Sequence, residues 1–94
     1  MNMDKLTKIS DTLTKWGCPL LKGFRVLVRC AVVAAQHEEW GEPWTPMGVC
    51  QEVAAPMGTT QWAAWHNMEY ALHRSKGPRS PAAAIALLVE GVTK

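Results

Sequence analysis

An all-α fold is predicted by three observations. Apolar residues recur at steps of three and four over long stretches, Gly-Cys-Pro, Pro-Met-Gly and Gly-Pro groups separate those stretches, and threonine or serine stands where the later ones begin. Together they predict one helical domain over residues 1–94, a small bundle of about five or six helices, with a helix-turn-helix within residues 45–75.

Leu6, Ile9, Leu13 and Trp16 give the first helix its apolar stripe, and Gly17-Cys18-Pro19 stops it. A second helix, from about Leu20 to His37, carries Phe24, Leu27, Val28, Ala31, Val32 and Ala35 on one face. Val26, Cys30 and Val33 widen that face until most of the helix has to be buried. Trp40-Gly41-Glu42-Pro43-Trp44 reads as a loop that its two tryptophans hold against the body. Thr45-Pro46 is an N-cap followed by a proline at the first helical position, where a missing N–H costs nothing. Val49, Cys50, Val53 and Ala54 continue that third helix to Pro56-Met57-Gly58, and Thr59-Thr60 caps a fourth. After Lys76-Gly77-Pro78-Arg79, Ser80-Pro81 opens an alanine-rich last helix that ends near Glu90-Gly91.

Ninety-four residues fill one domain with a modest core, and much of its large apolar surface has to come from the five tryptophans. A formal net charge of +2 is far below the excess that would signal nucleic-acid binding from composition, so local charge has to carry that case. No apolar run is long enough to span a membrane, and Met1-Asn2-Met3-Asp4-Lys5 lacks the form of a signal peptide. A cytoplasmic location is expected. Cys18, Cys30 and Cys50 are odd in number and contain no C-x-x-C pair, which predicts buried free thiols rather than disulfides or zinc ligands.

The order Gly17-x-Pro19, Lys22-Gly23-Phe24 with Leu27, Arg29 and Ala31, then Val53-Ala54-x-x-Met57-x-Thr59-Thr60, and more weakly Ile85-Ala86-Leu87-Leu88, resembles the C-terminal effector domain of the stage 0 sporulation protein A family. That family comprises the sporulation response regulators of endospore-forming bacteria. The resemblance spans roughly Leu6 to Val92, with small deletions before Lys22 and around Gly77 to Pro81. It implies an all-helical domain that binds double-stranded promoter DNA and regulates transcription. Arginines of the family's reading helix contact bases and phosphates, and the aligned positions here are Ala63, His66 and Glu69. The family's phosphate-accepting receiver domain has no counterpart in these residues.

If Thr60 caps the fourth helix, Ala64, Met68, Ala71, Leu72 and Ser75 form its inward stripe. The outward stripe is then Trp62, Trp65, His66, Glu69 and His73, with Thr59, Thr60, Gln61 and Ala63 near its start. These are the candidate recognition residues. Of them only Gln61 has the donor and acceptor pattern that matches a base edge well, while Glu69 can accept from cytosine N4 but is repelled by phosphate. His73, Arg74, Lys76 and Arg79 are candidate contacts to the DNA backbone, and Lys22, Arg25 and Arg29 can join them if the polar edge of the second helix lies near.

Trp62 and Trp65 leave two readings open. Either they fold back into the core, or they are exposed and make a protein contact, with a homodimer through both indoles as one form of it. The alternative function is therefore a degenerate helix-turn-helix serving interaction or self-association. Catalysis, cofactor binding and a small-molecule substrate have no motif behind them. His37-Glu38-Glu39-Trp40 lacks a second histidine four positions on, and His66 and His73 lie about 10 Å apart along a helix axis. No enzyme and no metal site is expected.

Overall fold

The computed structural model describes residues 3–93. Five helices, α1 (Met3–Lys15), α2 (Lys22–Glu39), α3 (Pro46–Ala54), α4 (Gln61–His73) and α5 (Pro81–Thr93), make up the fold, and no strand occurs among the described residues. All five share one core, in which Ile9, Leu13, Leu27, Met68, Leu72 and Ile85 are fully buried.

The helix stops come from backbone chemistry that the sequence displays. At the end of α1, Gly17 has φ +74°. Its N–H donates to Thr14 O at 2.9 Å, and the Cys18 N–H donates to Leu13 O at 3.0 Å. This pair of bonds satisfies carbonyls that the last turn of a helix leaves open. The same ending recurs after α3, where Gly58 has φ +71°, its N–H reaches Ala55 O at 3.0 Å and the Thr59 N–H reaches Ala54 O at 3.1 Å. Helix starts use side chains. Thr45 accepts from Gly48 N–H at 3.0 Å and Thr60 from Ala63 N–H at 3.1 Å. Replacing Thr60 by alanine is expected to remove about 1 kcal/mol of stability. In calorimetry this reads as a fall in Tm of roughly 4–8 °C.

The central element is α2, which contacts each of the other four helices. Alanines let the neighbours come close: Ala31 and Ala34 of α2, Ala64 and Ala71 of α4 and Ala84 of α5 are all fully buried. The tightest approach is at Gly23, where a Cβ would stand 2.0 Å from the Asn67 carbonyl oxygen of α4. By contrast, the backbones of α1 and α3 do not approach each other closely. Across the molecule, the Lys76 N–H donates to Trp16 O at 2.6 Å, and Gly77 lies against the Trp16 indole.

Two local expectations are corrected. The second helix begins at Lys22 rather than Leu20, because Leu21 is extended and its N–H turns back to Pro19 O at 2.8 Å, which leaves Leu20 84% exposed. Of the two loop tryptophans only Trp44 is held. Its Nε1–H donates to Glu38 Oε1 at 3.2 Å and its ring packs on the core, while Trp40 is 67% exposed and lies edge-on to His37.

Candidate nucleic-acid interface

Helix α4 buries one face and leaves the other uncovered. Ala64, Met68, Ala71 and Leu72 point into the core, followed by the buried Ser75, whose hydroxyl donates to Leu72 O at 2.8 Å. On the opposite side Trp62, Ala63, His66, Tyr70 and His73 are exposed. Thr60 is exposed at the N-cap, and Thr59 and Gln61 beside it are half-buried. The start of α4 thus presents Trp62 to the outside, while Gln61, seven residues before the buried Met68, is half-buried toward the core side of the helix.

Trp65 does not belong to this outward stripe. It is half-buried and packs against the core. The reason is helical phase: Trp65 precedes the buried Leu72 by seven residues, close to two full turns, so both lie on nearly the same side. Tyr70, 55% exposed, stands on the outward face instead, four residues after His66 and eight after Trp62. Stripe reading missed it. Its spacing from Arg74 was the available signal, since an aromatic ring and a cation four apart on a helix face meet. The Arg74 guanidinium carbon lies 4.6 Å from the ring centroid, and Nη2 donates to the Tyr70 hydroxyl at 2.6 Å.

The charges on this face are partly engaged. Glu69 Oε1 is 3.1 Å from His66 Nδ1, so of the two histidines that could meet this carboxylate, His66 takes it. That contact leaves less of the acid facing outward. Lys76 and Arg79 are exposed and have no acidic partner among the described residues. The backbone bond to Trp16 fixes where Lys76 starts from, while its side chain stays free to reach an anion. Lys22 is exposed beside the Gly23 contact with α4. Arg25 and Arg29 are not near it: they line a groove on the side of α2 turned away from that contact.

The histidine nearest to an acidic cluster is elsewhere. His37 Nε2 is 3.2 Å from Glu52 Oε1, and Nδ1 is 3.3 Å from Glu42 Oε1. The second contact has ion-pair distance without hydrogen-bond direction, which leaves Nδ1 buried and unsatisfied as a donor or acceptor. The two carboxylates approach opposite ring nitrogens and do not converge on one point. His37 therefore braces the 40–45 loop and α3 against α2, and no group of three metal ligands comes together among the described residues. The thiols are buried as expected. Burial pushes the Cys30 thiol far up, helped by the neighbouring Cys50, and burial also raises Cys50 and Cys18.

The uncovered face of α4 carries Trp62, His66 and Tyr70, with the half-buried Glu69 beside them, and cations follow beyond its C-terminal end at Arg74, Lys76 and Arg79. In comparisons with known proteins, no family model, no curated protein and no solved structure matches this chain.

Proposed function

We propose that the domain binds double-stranded DNA as a transcription regulator, laying α4 in the major groove in the manner the resemblance to the sporulation effector domain implies. What supports this is the uncovered face of α4, which follows a tight glycine turn after α3 and is flanked by Lys76 and Arg79, cations without an acidic partner among the described residues. A groove about 12 Å wide accepts a single helix backed by its bundle. Trp62 would meet a thymine methyl, Glu69 would accept from cytosine N4, and the half-buried Gln61 would read adenine only by turning its amide out from the core side of α4. Arg74, Lys76 and Arg79 would hold phosphates and set the register, with His73 beside them.

The test is a gel-shift titration across salt on the wild type and on a variant with Arg74, Lys76 and Arg79 all replaced by alanine. Each lost phosphate contact should reduce the salt slope by about 0.9, and three together should weaken binding roughly a hundredfold near 0.15 M salt on every sequence. Unchanged affinity in the triple variant would remove this patch from the mechanism.

A second reading is favoured by one observation, the exposure of Trp62 (62%) and Tyr70 (55%) two turns apart on the same face of α4. An indole left in water forgoes on the order of 2 kcal/mol of burial, and such patches mark protein contacts. In this reading the face pairs with another chain, as a symmetric dimer in a homogeneous sample. Light scattering on wild type and Trp62→Ala separates the readings. A dimer that dissociates in the variant, without DNA affinity in either form, would replace the DNA reading.

A further inference from the structure

The side of α2 facing away from α4 carries an open apolar groove of about 670 Å³. It lies where α1 and α3 flank α2 without a close approach of their backbones. Its floor is a single ridge of α2, Phe24, Val28 and Val32, at steps of four. Leu6 of α1 and Val53 of α3 form the walls. From Phe24 to Gln36 the lined length is about 18 Å, or three helical turns. Phe24 and Val32 are buried, and the open apolar surface of the groove is that of Leu6, Val28 and Val33, which remain half-exposed beside the core.

The charges along this groove are one-sided. Arg25 and Arg29 line it one turn apart, both are exposed, and neither has an acidic partner among the described residues. The one acid in the lining, Glu52, is already engaged, with both carboxylate oxygens within 3.3 Å of His37 Nε2. An occupant therefore meets an apolar floor and two unanswered positive charges.

We propose that this groove docks an amphipathic helix of a partner protein, with large apolar residues on the face that enters it and two acidic residues a turn apart along one flank. Ridges at steps of four on α2 accept a second helix between them, and i, i+4 acids match the spacing of Arg25 and Arg29. A phosphate backbone would satisfy the arginines but would leave the half-exposed Leu6, Val28 and Val33 uncovered. A second copy of this chain does not supply the occupant, since none of the five helices carries two acids one turn apart beside an exposed apolar row. The groove lies on the opposite side of α2 from α4, so this partner and a ligand on α4 can be held at once.

The test selects a display library of amphipathic helices of about sixteen residues, randomised on the apolar stripe and on one flank, against the full chain. Enriched sequences should carry large apolar residues at helical spacing and Asp or Glu on the flank. A synthetic helix made from the winner should bind roughly tenfold more weakly to Arg25→Ala/Arg29→Ala and should lose binding to Val28→Asp. Circular dichroism monitors the Val28→Asp fold, and the arginine variant, changed only at exposed positions, keeps the test decisive if Val28→Asp unfolds. A flank without acids, no enrichment, or equal binding to the arginine variant would overturn the proposal. A loss of duplex affinity in Arg25→Ala/Arg29→Ala with no peptide binding would assign the arginines to nucleic acid and overturn it too.

Discussion

Replacing Gly23 by alanine is expected to destabilise the domain by roughly 3 kcal/mol, near the upper end of what overpacking produces. The added Cβ would lie 2.0 Å from Asn67 O, 2.7 Å from Asn67 C and 2.8 Å from Ala71 Cβ, and two of those three atoms are backbone. A flexible side chain could swing away from such a contact; a peptide group in the middle of α4 cannot. The helix would have to move bodily outward, loosening the buried contacts of Met68 and Leu72 as it went. Alanine's better helix propensity offsets only about 1 kcal/mol of this. Gly91→Ala is the matching control: it is exposed within α5, nothing stands within 4 Å of its would-be Cβ, and the expected effect is a gain of a few tenths of a kcal/mol near the helix end. Urea titration of both variants reads the two signs. A Gly23→Ala midpoint equal to wild type would mean that the α2–α4 spacing is not set at this residue.

Leu27→Ala is expected to have an effect of similar size, about 3 kcal/mol, for the opposite reason. Leu27 is fully buried in a helix that packs on all four others, so truncation opens a void that no single neighbour can fill. Domains of this size hold about 5–10 kcal/mol in total, so the loss would leave a large unfolded fraction in mild denaturant. Leu27→Met, which keeps the volume, should lose less than about 1.5 kcal/mol. Guanidinium titration of the pair separates cavity formation from mere loss of branching. Equal midpoints for the alanine and methionine variants would show that the site collapses freely.

Most of the architecture was legible because its signals are local. Thr45-Pro46, Thr60 and the glycines at 17 and 58 each act through backbone groups a few residues away, so the sequence around them contains the whole interaction. The inward stripe of α4 was legible for the same reason, since burial of Ala64, Met68, Ala71 and Leu72 follows from spacing alone. The outward face was harder. Trp65 and Tyr70 sit near the borders of the stripe, where one residue's rotation exchanges packed for exposed, and only the neighbouring helices decide it. Trp40 and Trp44 were indistinguishable in the loop until one indole found Glu38. Contacts between distant residues left no sequence signal: nothing near Gly23 announces Asn67, and nothing near Trp16 announces Lys76. The α1–α3 gap belongs to the same class, being an absence of close backbone approach between elements that each look ordinary.

The bond from Lys76 to Trp16 joins residues about sixty positions apart, and α5 contacts both α1 and α2. A ribosome adds about 5–20 residues per second, so the first two helices wait several seconds before the segments that cover them emerge. During that interval the apolar side of α2 has only α1 and, later, α3 and α4 to lean on. The side of α2 that α5 covers therefore stays open to water until the last helix, the least polar of the five, emerges and packs on it.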